Sequence, residues 1–142
     1  MKLIISCCLT MIVIAGCSNI PGLQIPTPTP TCAMQALQFL DQITAIADEW
    51  TDAETLADST PRMSLPPTIA NLQEIRRRAD AIAPPECAAL AQTYLIDYMD
   101  KTIEGYLLFL SNVSDTEISN QFQSAGNAFR NFQIEMEDIK NR

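Results

Sequence analysis

The fold is decided most clearly by residues 113–139, VSDTEISNQFQSAGNAFRNFQIEMEDI. Residues 114–117, SDTE, form a capping box, in which the serine and glutamate side chains satisfy backbone donors at a helix start, and Val113 with Ile118 can form the accompanying hydrophobic staple. Apolar residues then recur at alternating steps of four and three, which places them along one side of a helix. They are Ile118, Phe122, Ala125, Phe129, Phe132, Met136 and Ile139. This seam predicts a long amphipathic helix that packs on other helices.

Three more helical patterns precede this segment, over 32 to about 58, about 67–82 and about 86–111. Pro66-Pro67 and Pro84-Pro85 mark two of the boundaries, because proline interrupts a helix but fits its first turn. The connections are short, so consecutive helices are expected to be antiparallel neighbours. Residues 32–142 are therefore predicted to form an all-α, up-down-up-down four-helix bundle.

The N-terminus has the pattern of an export signal. Lys2 precedes a short apolar run, which ends in Ile14-Ala15-Gly16-Cys17. This ending resembles the lipobox of bacterial lipoprotein precursors. The resemblance implies that residues 1–16 are removed as a signal peptide and that Cys17 carries the lipid anchor. Cleavage without lipidation is the alternative, whereas a membrane-spanning helix would need about 20 apolar residues.

Residues 17–31 join the anchor to the helical region. Prolines alternate with threonines over 26–31, a pattern that prevents helix formation and favours an extended polyproline-like chain. At roughly 3 Å per residue, such a tether would span up to about 45 Å. We therefore expect an extracytoplasmic domain, lipid-anchored to the bacterial cell membrane, or to the outer membrane if the host has one.

Two cysteines remain in the predicted domain. Cys32 and Cys87 are an even pair in an exported chain, which predicts a disulfide, with two buried free thiols as the alternative. Cys32 opens the first helix and Cys87 opens the third. Because these helices start at the same end of an up-down-up-down bundle, the disulfide and the topology support each other.

Composition excludes several classes of protein. The net charge is −8, and loss of Lys2 from the nine basic residues leaves eight against 17 acidic residues in the mature chain, or about −9. This charge argues against nucleic acid as a partner. The chain has no histidine, which argues against catalytic triads and histidine-ligated metals. We predict no cofactor, no metal site and no enzymatic activity.

Charged clusters offer the remaining candidate chemistry. The basic run 76–78 is interpreted as a solvated face, with Glu74–Arg78 and Arg76–Asp80 as i,i+4 ion pairs, and an anion site is the alternative. Two acidic clusters suit solubility better than metal binding, because neither has a calcium-loop pattern. They are Asp48, Glu49 and Asp52, and Asp97, Asp100 and Glu104.

The end of the bundle far from the tether is the predicted binding region. The second helix is the shortest, so the loop 59–66 is expected to close the core there, through Met63 and Leu65, over Trp50, Leu56, Leu107, Leu110 and Phe122. A loop opens at lower free energy than a helix. We therefore expect an apolar groove lined by Trp50, Met63, Leu65, Leu110 and Phe122, and the alternative is that the loop merely completes the core.

The sequence as a whole predicts an envelope lipoprotein with a binding or structural role and, as partners, the membrane and an envelope protein. A small-molecule-binding or sensory lipoprotein is the alternative. An interaction module should show an exposed apolar patch, and a small-molecule binder should show a pocket among the helices. An enzyme should show polar groups that converge in a cleft, which we do not expect.

Overall fold

The computed structural model describes residues 32–141, and the side chain of Ala33 is excluded from that description. The predicted signal peptide, the tether and the lipobox residues Ile14, Ala15, Gly16 and Cys17 lie outside it. Four helices and two single 3₁₀ turns, with no strand, make up the described part of the chain. The helices are α1 (Cys32–Ser59), α2 (Leu65–Asp80), α3 (Ala89–Ser111) and α4 (Asp115–Lys140). The prediction of an all-α domain with four helices is confirmed.

The helix starts follow the capping residues. Ser114 precedes α4, and its Oγ accepts a 3.3 Å hydrogen bond from the Glu117 backbone N–H. α2 begins at Leu65, two residues earlier than predicted, so Pro66-Pro67 lies inside its first turn, where the missing N–H groups have no helical acceptor. Residues 86–88 form a 3₁₀ turn, and the α-helical part of the third segment starts only at Ala89.

The predicted seam of α4 is buried unevenly. Ala125, Phe132, Met136 and Ile139 are buried, whereas Phe122 and Phe129 are only half-buried. α4 packs along α3 over most of its length but meets α1 over a much shorter stretch. The half-buried rings both line a space beside α1.

A glycine allows the close contact between α3 and α4. An ideal Cβ on Gly105 would lie 2.8 Å from Cζ of Phe122, so only glycine accepts the ring in this position. The Phe122 ring also packs edge-on against Tyr106, with 5.2 Å between the ring centroids. Phe122 is thereby held at the boundary between the core and the space beside α1.

The end of the core near the loop 59–66 is closed differently from the prediction. Met63 is 93% exposed and does not cover the core, and Leu56 and Leu107 are also exposed, so that part of the prediction is wrong. Leu65 is buried as the first residue of α2. Arg62 completes the cover over this end of the core. It donates hydrogen bonds of 3.0 Å to the Leu110 carbonyl and 2.9 Å to Asn112 Oδ1. Its guanidinium also lies over the ring of Phe109, with Cζ 5.1 Å from the ring centroid.

Asn112 lets the chain turn sharply between α3 and α4. It caps α3 in the left-handed conformation, with φ 61°. Asparagine tolerates this region better than most residues with a side chain. Its side chain receives the bond from Arg62, so one residue both ends α3 and ties the cover in place.

The opposite end of the domain carries the cysteine pair. The Cα atoms of Cys32 and Cys87 lie 6.3 Å apart, within the 4.4–6.8 Å range of disulfides. The predicted bridging distance is confirmed. The pair joins the first residue of α1 to the 3₁₀ turn that precedes α3.

The arginine run 76–78 is fully paired, although not entirely as predicted. The expected Arg76–Asp80 pair is present at 3.0 Å, but Arg78 reaches a different carboxylate from the predicted one. The other pairs are Arg76 with Asp100, Arg77 with Glu74, and Arg78 with Glu49. Arg76 and Arg78 thus connect α2 to α3 and α1, because each guanidinium extends beyond its own helix.

Candidate ligand-binding cleft

A cleft of about 400 Å³ lies between α1, α3 and α4. We call it the α1–α4 cleft. The residues that line it combine two carboxyl groups, a hydroxyl group and aromatic rings. They are Glu54 and Asp58 of α1, Tyr98 and Thr102 of α3, and Phe122, Ala125, Gly126 and Phe129 of α4. Polar groups thus converge in a cleft, contrary to the sequence-based expectation.

The first polar pair of the cleft is Glu54 with Tyr98. The Tyr98 hydroxyl donates a hydrogen bond to Glu54 Oε2. Burial raises the pKa of Glu54, and the hydrogen bond from Tyr98 opposes this rise without cancelling it. Burial and the adjacent carboxylate also raise the pKa of Tyr98 well above its ordinary value, so the phenol keeps its proton. Glu54 is therefore a carboxyl group whose charge is poorly compensated.

The second polar pair is Asp58 with Tyr106. The Tyr106 hydroxyl donates a 2.5 Å hydrogen bond to Asp58 Oδ1 and lies 3.4 Å from the Glu54 carbonyl oxygen. Burial, followed by this hydrogen bond, raises the pKa of Tyr106. The tyrosine is buried while the aspartate is exposed, so the pair runs from the core to the rim of the cleft.

Two buried polar atoms beside these pairs have no hydrogen-bond partner among residues 32–141. Thr102 is 0% exposed, lines the cleft, and leaves its Oγ1 unsatisfied. Trp50 is 1% exposed, and its indole N–H approaches Glu54 closely enough to oppose the rise in its pKa, but makes no hydrogen bond of normal geometry. A buried polar group without a partner costs about 1–3 kcal/mol, so the Thr102 hydroxyl marks a place in the cleft that a ligand or water would complete.

Aromatic rings surround the polar pairs. Tyr98 stacks obliquely on Phe129, with centroids 4.8 Å apart, and meets the edge of Trp50 at 5.9 Å. Phe122 lines both the α1–α4 cleft and a neighbouring pocket of about 200 Å³ near the loop. The cleft therefore has apolar aromatic walls around a polar interior, the usual composition of small-molecule sites.

Only part of the predicted groove comes together. Leu65 and Phe122 line the neighbouring pocket, together with Asp58, Tyr106 and other residues of α1 and α3. Trp50 lies deep in the core instead, and Met63 faces solvent. Leu110 is half-buried, and its carbonyl accepts the Arg62 hydrogen bond. Binding of a partner in this region remains a prediction. The pocket that is present lies nearer to α4 than the predicted groove.

The polar residues of the cleft carried a signal in the sequence that went unused. Positions 50, 54 and 58 follow one another at steps of four along α1, and positions 98, 102 and 106 do the same along α3. Residues at such steps share a helix face. Two polar rows beside the apolar stripes thus marked the two helix edges that meet at the cleft.

The predicted acidic clusters are largely occupied by neighbouring side chains. Ion pairs join Glu49 to Arg78, Asp97 to Lys101 and Asp100 to Arg76, and Glu104 accepts a 2.7 Å hydrogen bond from Gln121. Over residues 32–141, no group of three or more acidic or cysteine side chains is arranged to hold a metal ion.

Neither a protein-family model, nor a curated protein, nor a solved structure matches this chain. Within residues 32–141, no helix is long and apolar enough to cross a membrane.

Proposed function

We propose that this protein is an extracytoplasmic lipoprotein whose helical domain binds a small molecule in the α1–α4 cleft. The single observation that carries the binding role is a cleft of about 400 Å³ where two carboxyl–tyrosine pairs adjoin the unpartnered, fully buried Thr102 hydroxyl. A purely structural bundle would gain stability from apolar side chains at these positions, because unsatisfied buried polar groups destabilise a fold.

The anchoring part of the proposal is supported by the lipobox resemblance at Ile14-Ala15-Gly16-Cys17 and by the proline-threonine tether. In a bacterial host, the full-length protein should incorporate labelled palmitate. Cys17→Ser should abolish the labelling, whereas Cys8→Ser, within the removed segment, should leave the mature protein labelled. Labelling that survives Cys17→Ser would remove the anchor from the proposal.

We also propose the up-down-up-down arrangement of the four helices. Helices that are consecutive in the chain pack on one another, and α1 and α4 close the set. The Cα distance of 6.3 Å between Cys32 and Cys87 supports a common starting end for α1 and α3. In this arrangement the cleft opens on the seam between the first and last helices.

Binding is favoured over catalysis by the groups that line the cleft. A carboxyl group with a raised pKa, such as Glu54, suits general acid chemistry and makes catalysis the second candidate. However, tyrosine hydroxyls already engage both carboxyl groups, and the Thr102 hydroxyl that lines the cleft has no hydrogen-bonded base among the described residues to activate it as a nucleophile. Recognition needs only the arrangement that is present.

The binding role is tested with the full-length protein purified from its native membrane. Gly126 lines the cleft, and nothing lies within 4 Å of a Cβ built on it, so Gly126→Leu should fill the cleft without a backbone clash. Gly126→Ala is the matched control. Mass spectrometry of extracts should find a small molecule with the wild type and Gly126→Ala, and much less of it with Gly126→Leu. Equal amounts in all three, or none in any, would contradict the binding role.

A further inference from the structure

We propose that the ligand of the α1–α4 cleft is a small organic cation, a primary ammonium group attached to an apolar or aromatic body. This inference rests on the proposed binding function and specifies the chemistry of the ligand. The ammonium group would lie between Glu54 and Asp58, with the body against Phe122 and Phe129.

The charge of the cleft is the first argument. Glu54 and Asp58 stand four residues apart on α1, so both project from the same helix face. No lysine or arginine lines the cleft, and neither carboxyl group forms an ion pair with a described basic residue. By contrast, all three arginines of the run 76–78 are paired on another face. The two carboxyl groups of the cleft therefore have no basic side chain beside them to compensate a negative charge.

The number of acceptors is the second argument. An ammonium group has three N–H donors and no acceptor. The cleft offers two carboxyl groups and the Thr102 Oγ1, which is buried and unpartnered. A buried hydroxyl can accept a hydrogen bond from a ligand at little cost, because it gives up no existing partner. Each carboxyl group already accepts a hydrogen bond from a tyrosine but has further lone pairs, so three groups can accept from a ligand. Acceptors match a primary ammonium group better than they match a carboxylate or a phosphate.

The aromatic walls are the third argument. Tyr98 and Phe129 pack against each other, and Phe122, on the same helix as Phe129, also lines the cleft. Aromatic faces attract cations by about 0.5–2 kcal/mol and also cover an apolar ligand body. Carboxyl groups and rings together distinguish an organic amine from an inorganic cation, which would need more oxygen ligands.

The test uses 2-phenylethylamine, its neutral isostere 2-phenylethanol and the anion 3-phenylpropionate. The full-length protein is held in a non-ionic detergent, with its single tryptophan labelled with ¹⁵N. The indole N–H of Trp50 adjoins Glu54 and gives one resonance. We expect the amine to shift this resonance with a dissociation constant of about millimolar, at least about tenfold tighter than the alcohol, and the anion to have no effect.

Variants separate the charge from the shape of the cleft. Glu54→Gln combined with Asp58→Asn keeps the side-chain volumes and should weaken binding of the amine by at least about tenfold. Asp52→Asn, on the solvent-exposed side of α1, is the matched control and should leave binding unchanged. If the double variant fails to fold, the wild type still tests the inference. A shift of the Trp50 resonance that saturates as the amine is added would show that the wild type binds the amine.

The outcomes distinguish this inference from the proposed function. Equal affinity for amine and alcohol, or undiminished amine binding by the folded double variant, would overturn the cation but keep a binding cleft. No response to any of the three probes would also overturn the inference. The proposed binding function has its own test. It is contradicted if Gly126→Leu does not change the amount of small molecule that co-purifies with the protein.

Discussion

Tyr106 of α3 donates a 2.5 Å hydrogen bond to Asp58 near the end of α1, and its ring is buried against Phe122 of α4. One side chain thus joins three helices at the edge of the cleft. Tyr106→Phe keeps the ring and removes the hydroxyl. We expect the free energy of unfolding to fall by about 1–1.5 kcal/mol, measured by urea denaturation.

Tyr94→Phe is the control for that substitution. Tyr94 is a half-buried tyrosine of α3 that packs against the core, but its hydroxyl makes no hydrogen bond with the described residues. Its loss should change the free energy of unfolding by less than about 0.5 kcal/mol. Equal losses in the two variants would show that the bond to Asp58 contributes nothing measurable.

Glu54 should make stability depend on pH. Burial raises its folded-state pKa above the ordinary value of 4.5, so the folded protein binds more protons than the unfolded chain between the two values. Its contribution is therefore fully present below the ordinary pKa and is lost as pH rises through the raised pKa. Urea denaturation at several pH values should show the wild type losing stability relative to Glu54→Gln over this window. The raised pKa would be contradicted if the free energy of unfolding of the wild type, relative to that of Glu54→Gln, stayed constant or increased as the pH rises.

Alanine should have different effects at two glycines. Gly126→Ala places a methyl group in open space on α4 and should stabilise the protein by about 0.5–1 kcal/mol, because alanine is the better helix former. Gly105→Ala brings a Cβ within 2.8 Å of Phe122 Cζ, and overpacking costs about 1–3 kcal/mol. That cost should cancel or exceed the gain in helix propensity. Urea midpoints should rise for the first variant and not for the second, and a rise for both would mean that the Phe122 ring moves freely.

The cysteine pair should contribute strongly to stability. A bond between Cys32 and Cys87 closes a loop with a sequence separation of 55, worth about 4 kcal/mol in the chain-entropy account. Cys32→Ser with Cys87→Ser, or reduction, should lower the free energy of unfolding by about this amount. A thiol reagent should find neither cysteine free in the denatured, unreduced mature protein. Two reactive thiols would contradict the disulfide.

The helices were predictable because their signals are local. The capping sequence at Ser114 and the proline pairs lie within a few residues of the boundaries that they determine. The apolar stripes identified the core in the same way, and Ile43, Leu72, Leu95 and Met99 are all fully buried.

The cleft was not predictable in this way, because its shape depends on contacts between distant residues. Gly105 lets Phe122 approach α3 closely, and the same ring lines the cleft beside α1. The prediction that Met63 covers the core was wrong for a related reason. The long polar side chain of Arg62 covers the core instead, because it forms hydrogen bonds with Leu110 and Asn112. Neither contact follows from a repeat or a cap.

The position of the cysteine pair also has a mechanical meaning. In the proposed anchored protein, any force between the membrane and the domain enters the folded chain at Cys32. A disulfide to Cys87 would enclose α1 and α2 in a covalent ring, so this force would be passed directly to the start of α3. Neither helix can be peeled away from its end while the bond is intact. The load falls instead on α3 and α4, the pair with the most extensive contact in the domain. The resistance of the tethered domain to pulling should therefore depend on the redox state of its surroundings.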